Sequence, residues 1–288
     1  MLEDAENTTQ AQLRRGGCMI RDETEIAIRD EAEIARSTIE ARKTVLSPAQ
    51  GWSCVDPPTN TVFPLEYAFR LLGDIQDKHV LDLGCGTGGE IPTLAWRGAR
   101  VTGIDPFADL IALARERMRR LHIEADLRVG SAYQTELPDG SVDVIFCMSV
   151  IHHLDIPMAV GEMRRILKPD GFIVMKEPIC FSRMYAKMRT IFPASDETSE
   201  YEHPLTREDF TKVQEGFRVS GLRLFRLPFV AIAERYLSLK PRLFMKSSDF
   251  LLRHCHYLED FATVAVMKLS RWFYARPPHL LSLVGFKD

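Results

Sequence analysis

A three-layer α/β fold, with helices on both faces of a mostly parallel sheet, is predicted by three observations. From residue 79 onward, short apolar runs alternate with helical stretches, the pattern of βαβ units. A glycine-rich turn, Gly84-Cys85-Gly86-Thr87-Gly88-Gly89, follows the first run and opens a helix. An acidic residue, Asp105, ends the second run, 21 residues after Gly84.

Composition narrows the setting. A chain of 288 residues with 45% apolar and 27% charged residues is long enough to bury a large core without disulfides or metal. Its net charge of −3 excludes a generally basic nucleic-acid binder, so no nucleic-acid partner is expected. The six cysteines, Cys18, Cys54, Cys85, Cys147, Cys180 and Cys255, form no CxxC motif; no metal site is expected, and scattered thiols fit a reducing compartment. The first residues, MLEDAENTTQ, are acidic and polar, unlike a targeting peptide, and no apolar run approaches a membrane span. The expected location is therefore cytoplasmic.

The elements follow in order. Residues 22–46 lack Gly and Pro and carry a thin apolar stripe, which predicts a helix that stops before Ser47-Pro48. Residues 47–61, with Gly51, Pro57 and Pro58, read as loop. Residues 63–73 have helical periodicity and close on Gly73. Strands are predicted at 79–85, 100–105, 125–132, 141–150 and 172–178, with helices at 88–98, 107–122 and 156–168 between them. Residues 221–229 and 261–270 read as a last pair of strands. The expected organisation is an N-terminal helical extension or cap over 1–62 and one main domain over 63–288, with an insert at 230–260.

The glycine turn is the sharpest feature. Glycines allow a tight turn and a close ligand, and the helix behind it offers free N–H groups. Gly84, Gly86 and Gly89 satisfy GxGxxG, but that spacing alone is weak. Asp82, two residues before the first glycine, suits a cation better than a pyrophosphate. Asp105 suits a ribose diol and repels a 2′-phosphate, which fits NAD or another ribose-bearing cofactor. As plain alternatives, the glycines serve only as a turn, and Asp105 only caps the helix after Pro106. Cys85 reads as a small packed residue rather than a nucleophile.

Four later segments complete a series: Gly130-Ser131-Ala132, then 137–146 (LPDGSVDVIF), then Val150-Ile151-His152-His153-Leu154, then Leu167-Lys168-Pro169-Asp170-Gly171. In this order they resemble the class I, Rossmann-like S-adenosylmethionine-dependent methyltransferases, closest to the small-molecule and lipid-quinone branch, over roughly residues 63–178. The resemblance implies that Asp82 and the turn Gly84, Cys85, Gly86 and Gly88 hold the methionine moiety of S-adenosylmethionine. Asp105 with Pro106 would bind the ribose, and Ser131 and Ala132 would lie by the adenine. Met148 would line the methionine and acceptor side. In that fold the last strand is antiparallel.

His152 and His153 follow the fourth strand, at the sheet edge where open α/β folds bind ligands. They are candidate general bases, with a packed structural role as the alternative. Residues 218–288 carry 12 basic and 5 acidic groups, and residues 230–260 form a Leu/Phe-rich helical insert between the last two strands. Such an insert either docks on a membrane surface or packs on the core. The reading is methyl transfer to a small-molecule or lipid-like acceptor. Its rivals are an NAD-dependent oxidoreductase and a non-catalytic cofactor-binding protein of the same fold. The acceptor, the methylated atom and the oligomeric state are not legible.

Overall fold

A strand presents alternate residues to opposite faces, so a strand covered on both sides reads as a continuous apolar run. The computed structural model describes residues 54–191, 203–230 and 241–272. The predicted helix 22–46, the segment 231–240 and the tail 273–288 lie outside the described residues.

Seven strands form one sheet: β1 (His79–Leu83), β2 (Arg100–Asp105), β3 (Asp126–Val129), β4 (Val142–Met148), β5 (Leu167–Pro178), β6 (Phe217–Phe225) and β7 (Val264–Arg271). Their order is β3-β2-β1-β4-β5-β7-β6. Strands β1 to β5 are mutually parallel where they pair, and β7 runs antiparallel to both β5 and β6. The strand order reverses between β1 and β4, which opens a crevice beyond their carboxyl ends. The expected mostly parallel sheet with an antiparallel last strand is what forms.

Alternation sorts the core into two apolar layers. Val80, Val101, Val144, Phe146, Val174 and Val266 pack with α1 (Pro64–Leu72), α2 (Ile91–Trp96) and α3 (Ala108–Leu121). Leu81, Leu83, Ile145, Ile173, Met175 and Met267 pack with α4 (Ile156–Ile166) and α6 (Arg207–Gly216) on the other face. Further helices among the described residues are α5 (Arg183–Ile191) and α7 (Pro241–His254). This is the three-layer arrangement predicted.

Local chemistry sets the helix ends. Pro64 opens α1 in its first turn, and Gly73 ends it at φ +64°. Asp155 caps α4 by accepting from the Met158 amide at 3.1 Å. Thr206 and Asp209 form a reciprocal capping box at the start of α6.

Several boundaries differ from those predicted. The first helix after the glycine turn is shorter, Ile91–Trp96, because residues 84–90 stay in the turn. β3 covers Asp126–Val129 and hands over to a turn in which the Ser131 hydroxyl accepts from the Tyr133 amide. β4 stops at Met148 because Ser149 takes a left-handed φ of +62°. β6 begins at Phe217 and ends at Phe225, four residues earlier than 221–229. A register shift lies between Val219 and Gly221, and Arg226 turns the chain at φ +59°. In the predicted insert, 241–254 is helical and a 3₁₀ turn, His256–Phe261, leads into β7. Residues 54–62, assigned to the N-terminal extension, join the main body: the Thr61 hydroxyl bonds Glu66, and Arg223 on β6 donates to the Thr61 carbonyl at 2.9 Å.

Candidate functional site

The site forms where the carboxyl ends of β1, β2, β4 and β5 line up. Leu83 pairs with Ile104 on one side and Cys147 on the other, and Met148 pairs with Lys176. That register brings Asp82, the glycine turn, Asp105, Met148 and the histidines to one edge.

The turn is wired into β2. The Gly84 and Cys85 amides both donate to the Ile104 carbonyl, at 2.8 and 3.1 Å, and the Gly88 amide donates to the Cys85 carbonyl at 2.8 Å. Gly84, Gly86 and Gly88 all sit at positive φ, where an L side chain is strained. Asp105 accepts from the Gly86 amide at 2.8 Å through Oδ2 and from the Phe107 amide at 3.0 Å through Oδ1. These two bonds fix the Asp105 carboxylate at the end of β2, between the glycine turn and the chain entering α3. The N-cap alternative does not hold: the N-cap of α3 is Phe107, with no side-chain cap bond, and Asp105 bonds the Phe107 amide ahead of the helix. Pro106 beside it is exposed.

Asp82 is buried at 2% exposure, and its Oδ2 has no hydrogen-bond partner among the described residues. Burial, and then the charges of Glu90 and Asp105, push its carboxyl well above the usual carboxylate range. Glu90 is also pushed up by burial, against the pull of Lys176 and Arg117. A buried acceptor without a partner, among carboxylates, is a place for a cationic ligand group.

Cys85 is buried; burial and then the Asp82 charge hold its thiol protonated far above the usual range. Its amide and carbonyl are both used inside the turn, so it acts as packing. The Gly130 amide donates to the Asp105 carbonyl at 3.0 Å and brings Ser131 and Ala132 alongside β2. Met148 is half-buried at the end of β4.

Beyond β4 and β5 lies a cavity of about 340 Å³ lined by Ser149, His152, His153, Lys176, Glu177, Pro178 and Val264. Glu177, fully buried, accepts from the Val150 and Ile151 amides at 3.0 Å each through Oε1. Its Oε2 lies 2.7 Å from His152 Nδ1. The His152 and His153 rings lie against each other, centroids 3.9 Å apart and planes tilted by 40°. The two halves of the site meet at Gly84, where an added Cβ would lie 2.4 Å from Val150 Cγ2.

Sequence reasoning missed Glu90, Lys176 and Glu177. The signal for the last two was available: Lys176-Glu177 are charged residues ending an otherwise apolar buried strand at the ligand edge.

Residues 81–175 match the model of a family described as a methyltransferase domain. A ubiquinone biosynthesis O-methyltransferase of Alkalilimnicola ehrlichii is 32% identical over 123 residues, 41% of this chain and 49% of that protein. A ubiquinone/menaquinone biosynthesis C-methyltransferase of Rubrivivax gelatinosus is 37% identical over 103 residues, 35% of this chain and 40% of that protein. The chain thus spans about half or less of the length of these curated relatives. In fold it is similar to the geranyl diphosphate C-methyltransferase of Streptomyces coelicolor, at a TM-score of 0.54 and 16% identity, over 82% of this chain and 98% of that one.

Proposed function

We propose, from the premise that residues 81–175 form a methyltransferase domain of the class I S-adenosylmethionine-dependent type, that this chain methylates a small-molecule or lipid-like acceptor. The observation that carries the reading is the orphaned, buried Asp82 Oδ2 beside a glycine turn that Asp105 holds from below. These residues fit S-adenosylmethionine: Asp82 faces an ammonium, the turn accommodates a close neutral chain, and Asp105 accepts from the ribose hydroxyls. They suit NAD less well, since a buried carboxylate at the turn opposes a pyrophosphate. The relatives that act in quinone biosynthesis support an acceptor with apolar character.

The bound cofactor supplies an electrophilic methyl carbon on a sulfonium. The chain's own task is then to align the acceptor and exclude water. His152 lies at the cavity wall with Nδ1 engaged by Glu177 and Nε2 without a partner among the described residues. It is placed to take the acceptor's proton on Nε2. His153, stacked against it, is the second candidate. Thermal shift tests the cofactor: S-adenosylhomocysteine should raise the melting temperature and NAD should not. The converse result returns the oxidoreductase reading. Binding without methyl transfer to any component of metabolite and lipid extracts, followed with labelled cofactor, returns the non-catalytic one. With an acceptor found, His152→Ala should lower kcat by roughly 10²–10⁴-fold at unchanged cofactor affinity.

The surface of α7 supports a peripheral contact with an anionic membrane from the cytoplasmic side. Leu243 and Phe250, seven residues apart on one stripe, are 67% and 60% exposed, and Tyr257 beyond the helix end is 77% exposed. Lys246, Arg253 and His254 are exposed beside them. Asp249 accepts from Arg223 at 2.7 Å through Oδ1 and from Arg253 at 2.9 Å through Oδ2, which leaves Lys246 as the exposed cation of the helix face outside an ion pair among the described residues. Among the described residues no helix is long and apolar enough to cross a membrane. The connection that contains α7 leads into β7 at Val264, which lines the cavity. Co-sedimentation with phosphatidylglycerol vesicles should occur at low salt, fade as salt rises, and fail for Lys246→Glu/Phe250→Glu. Absence of sedimentation at low salt leaves α7 as packing.

A further inference from the structure

Glu177 goes beyond the sequence-derived site. We infer that Glu177 is a positioning residue that fixes the tautomer of His152 and holds its turn, leaving Nε2 as the ring atom presented to the acceptor. This rests on the reading of His152 as the base, and deepens it.

Three observations on different atoms carry the inference. Oε1 of Glu177 accepts from both amides that open the 3₁₀ turn Ile151–His153, so the turn carrying both histidines is pinned to β5. Oε2 lies 2.7 Å from His152 Nδ1, and a carboxylate can only accept. A neutral His152 must therefore carry its proton on Nδ1 and keep the Nε2 lone pair free. Third, His152 lines the cavity with its side chain 5% exposed, and no described residue bonds its Nε2. Glu177 is fully buried, out of reach of bulk solvent.

The neighbours matter to protonation. Lys176 from β5 and His153 from the same turn line the cavity with His152, while β7 contributes the apolar Val264. Beneath them, the buried Cys147 of β4 is held as a thiol by burial and by the Glu177 charge. Ser149, at a left-handed φ of +62°, donates its amide to the Lys176 carbonyl at 2.7 Å and fixes the start of the loop. The turn is thus held by backbone as well as by Glu177.

Glu177→Gln separates tautomer from support. The Gln carbonyl oxygen can keep both backbone amides, which turns its NH₂ toward His152 Nδ1. A donor there makes Nδ1 an acceptor and moves the proton to Nε2. Nitrogen-15 NMR of histidine-labelled protein, with His152 assigned by its loss in His152→Ala, reads the result directly. The parent should show Nδ1–H at a pH where the ring is neutral, and Glu177→Gln should show Nε2–H. S-adenosylhomocysteine affinity should stay within about twofold. With an acceptor in hand, kcat for Glu177→Gln should fall by roughly 10²–10⁴-fold at little change in KM. A parent ring protonated on Nε2, or a tautomer unmoved by Glu177→Gln, overturns the inference. If Glu177→Gln does not fold, the parent spectrum still decides it. A flipped tautomer with kcat unchanged in His152→Ala would instead overturn His152 as the base while leaving Glu177 as the residue that orients it.

Discussion

Gly84→Ala tests whether the glycine turn and the histidine turn are packed as one body. The added Cβ would lie 2.4 Å from Val150 Cγ2 and 2.9 Å from Cγ1, at φ +70°. Neither side yields easily. The Gly84 and Cys85 amides are both bound to the Ile104 carbonyl, and the Val150 amide is held by Glu177 at 3.0 Å. Left-handed strain costs about 1–2 kcal/mol. Overpacking adds about 1–3 kcal/mol, for a loss of about 2–5 kcal/mol. At about 2–4 °C per kcal/mol for a domain of this size, Tm should drop by about 4–20 °C. Gly86→Ala is the control: φ is +50°, but nothing lies within 4 Å of its Cβ, so strain alone remains, about 1–2 kcal/mol. Under the proposed function the cofactor passes through that open space, so Gly86→Ala should read out in S-adenosylhomocysteine affinity instead. Urea unfolding of Gly84→Ala, Val150→Ala and the double variant gives the coupling, expected above about 1 kcal/mol because Val150→Ala removes both Cγ atoms. Equal losses for Gly84→Ala and Gly86→Ala, or a coupling near zero, would refute the shared packing.

Three further outcomes are expected. Asp105→Ala should weaken S-adenosylhomocysteine binding by roughly tenfold to several hundredfold in calorimetry, since each charged hydrogen bond to a hydroxyl is worth about 1.5–3 kcal/mol. Asp82→Asn should weaken the same binding while leaving the ligand-free protein at least as stable as the parent at pH 7. The Asp82 carboxyl is raised in the folded state, so its ionisation destabilises the fold as pH rises from the ordinary value toward the folded one. A loss of ligand-free stability at pH 7 would contradict this. Glu162, bonded by Arg165 and by the Thr135 amide and hydroxyl at 2.7 Å each, is held down at about 2. Its stabilisation is present above the ordinary value of 4.5 and is lost as pH falls toward 2. Glu162→Ala should therefore cost about 1–3 kcal/mol at pH 7 in urea unfolding, and the gap should narrow at pH 3.

Features carried by short stretches of chain were legible before the structure. The parallel sheet followed from apolar runs at βα spacing, and the turn from glycines between a strand and a helix. Asp82, Asp105 and the two histidines were placed by their positions at strand ends. Less legible were the segments whose identity depends on partners far along the chain. β6 was displaced because Gly221, which reads as a strand start, sits within the strand at a register shift against β7. α6 had a signal of its own in the Thr206 and Asp209 box, but its apolar positions are sparse, with Val213 and Gly216 buried. Cys85 lies in the same turn as Gly84, Gly86 and Gly88, and only its backbone bonds and burial show that it is packed.

By itself the sequence determined the sheet class, the glycine turn and the acids at the ends of β1 and β2. Each depends on local spacing and on the alternation of two residues per strand period. Tertiary structure alone decided that Asp82 keeps an unpartnered buried oxygen, because that needs β2, α2 and β4 in place around it. It alone brought Glu177 to His152 across 25 residues, and Gly84 to Val150 across 66. Those contacts arise from the parallel register of β1, β4 and β5, a long-range property that a linear pattern of residues does not carry.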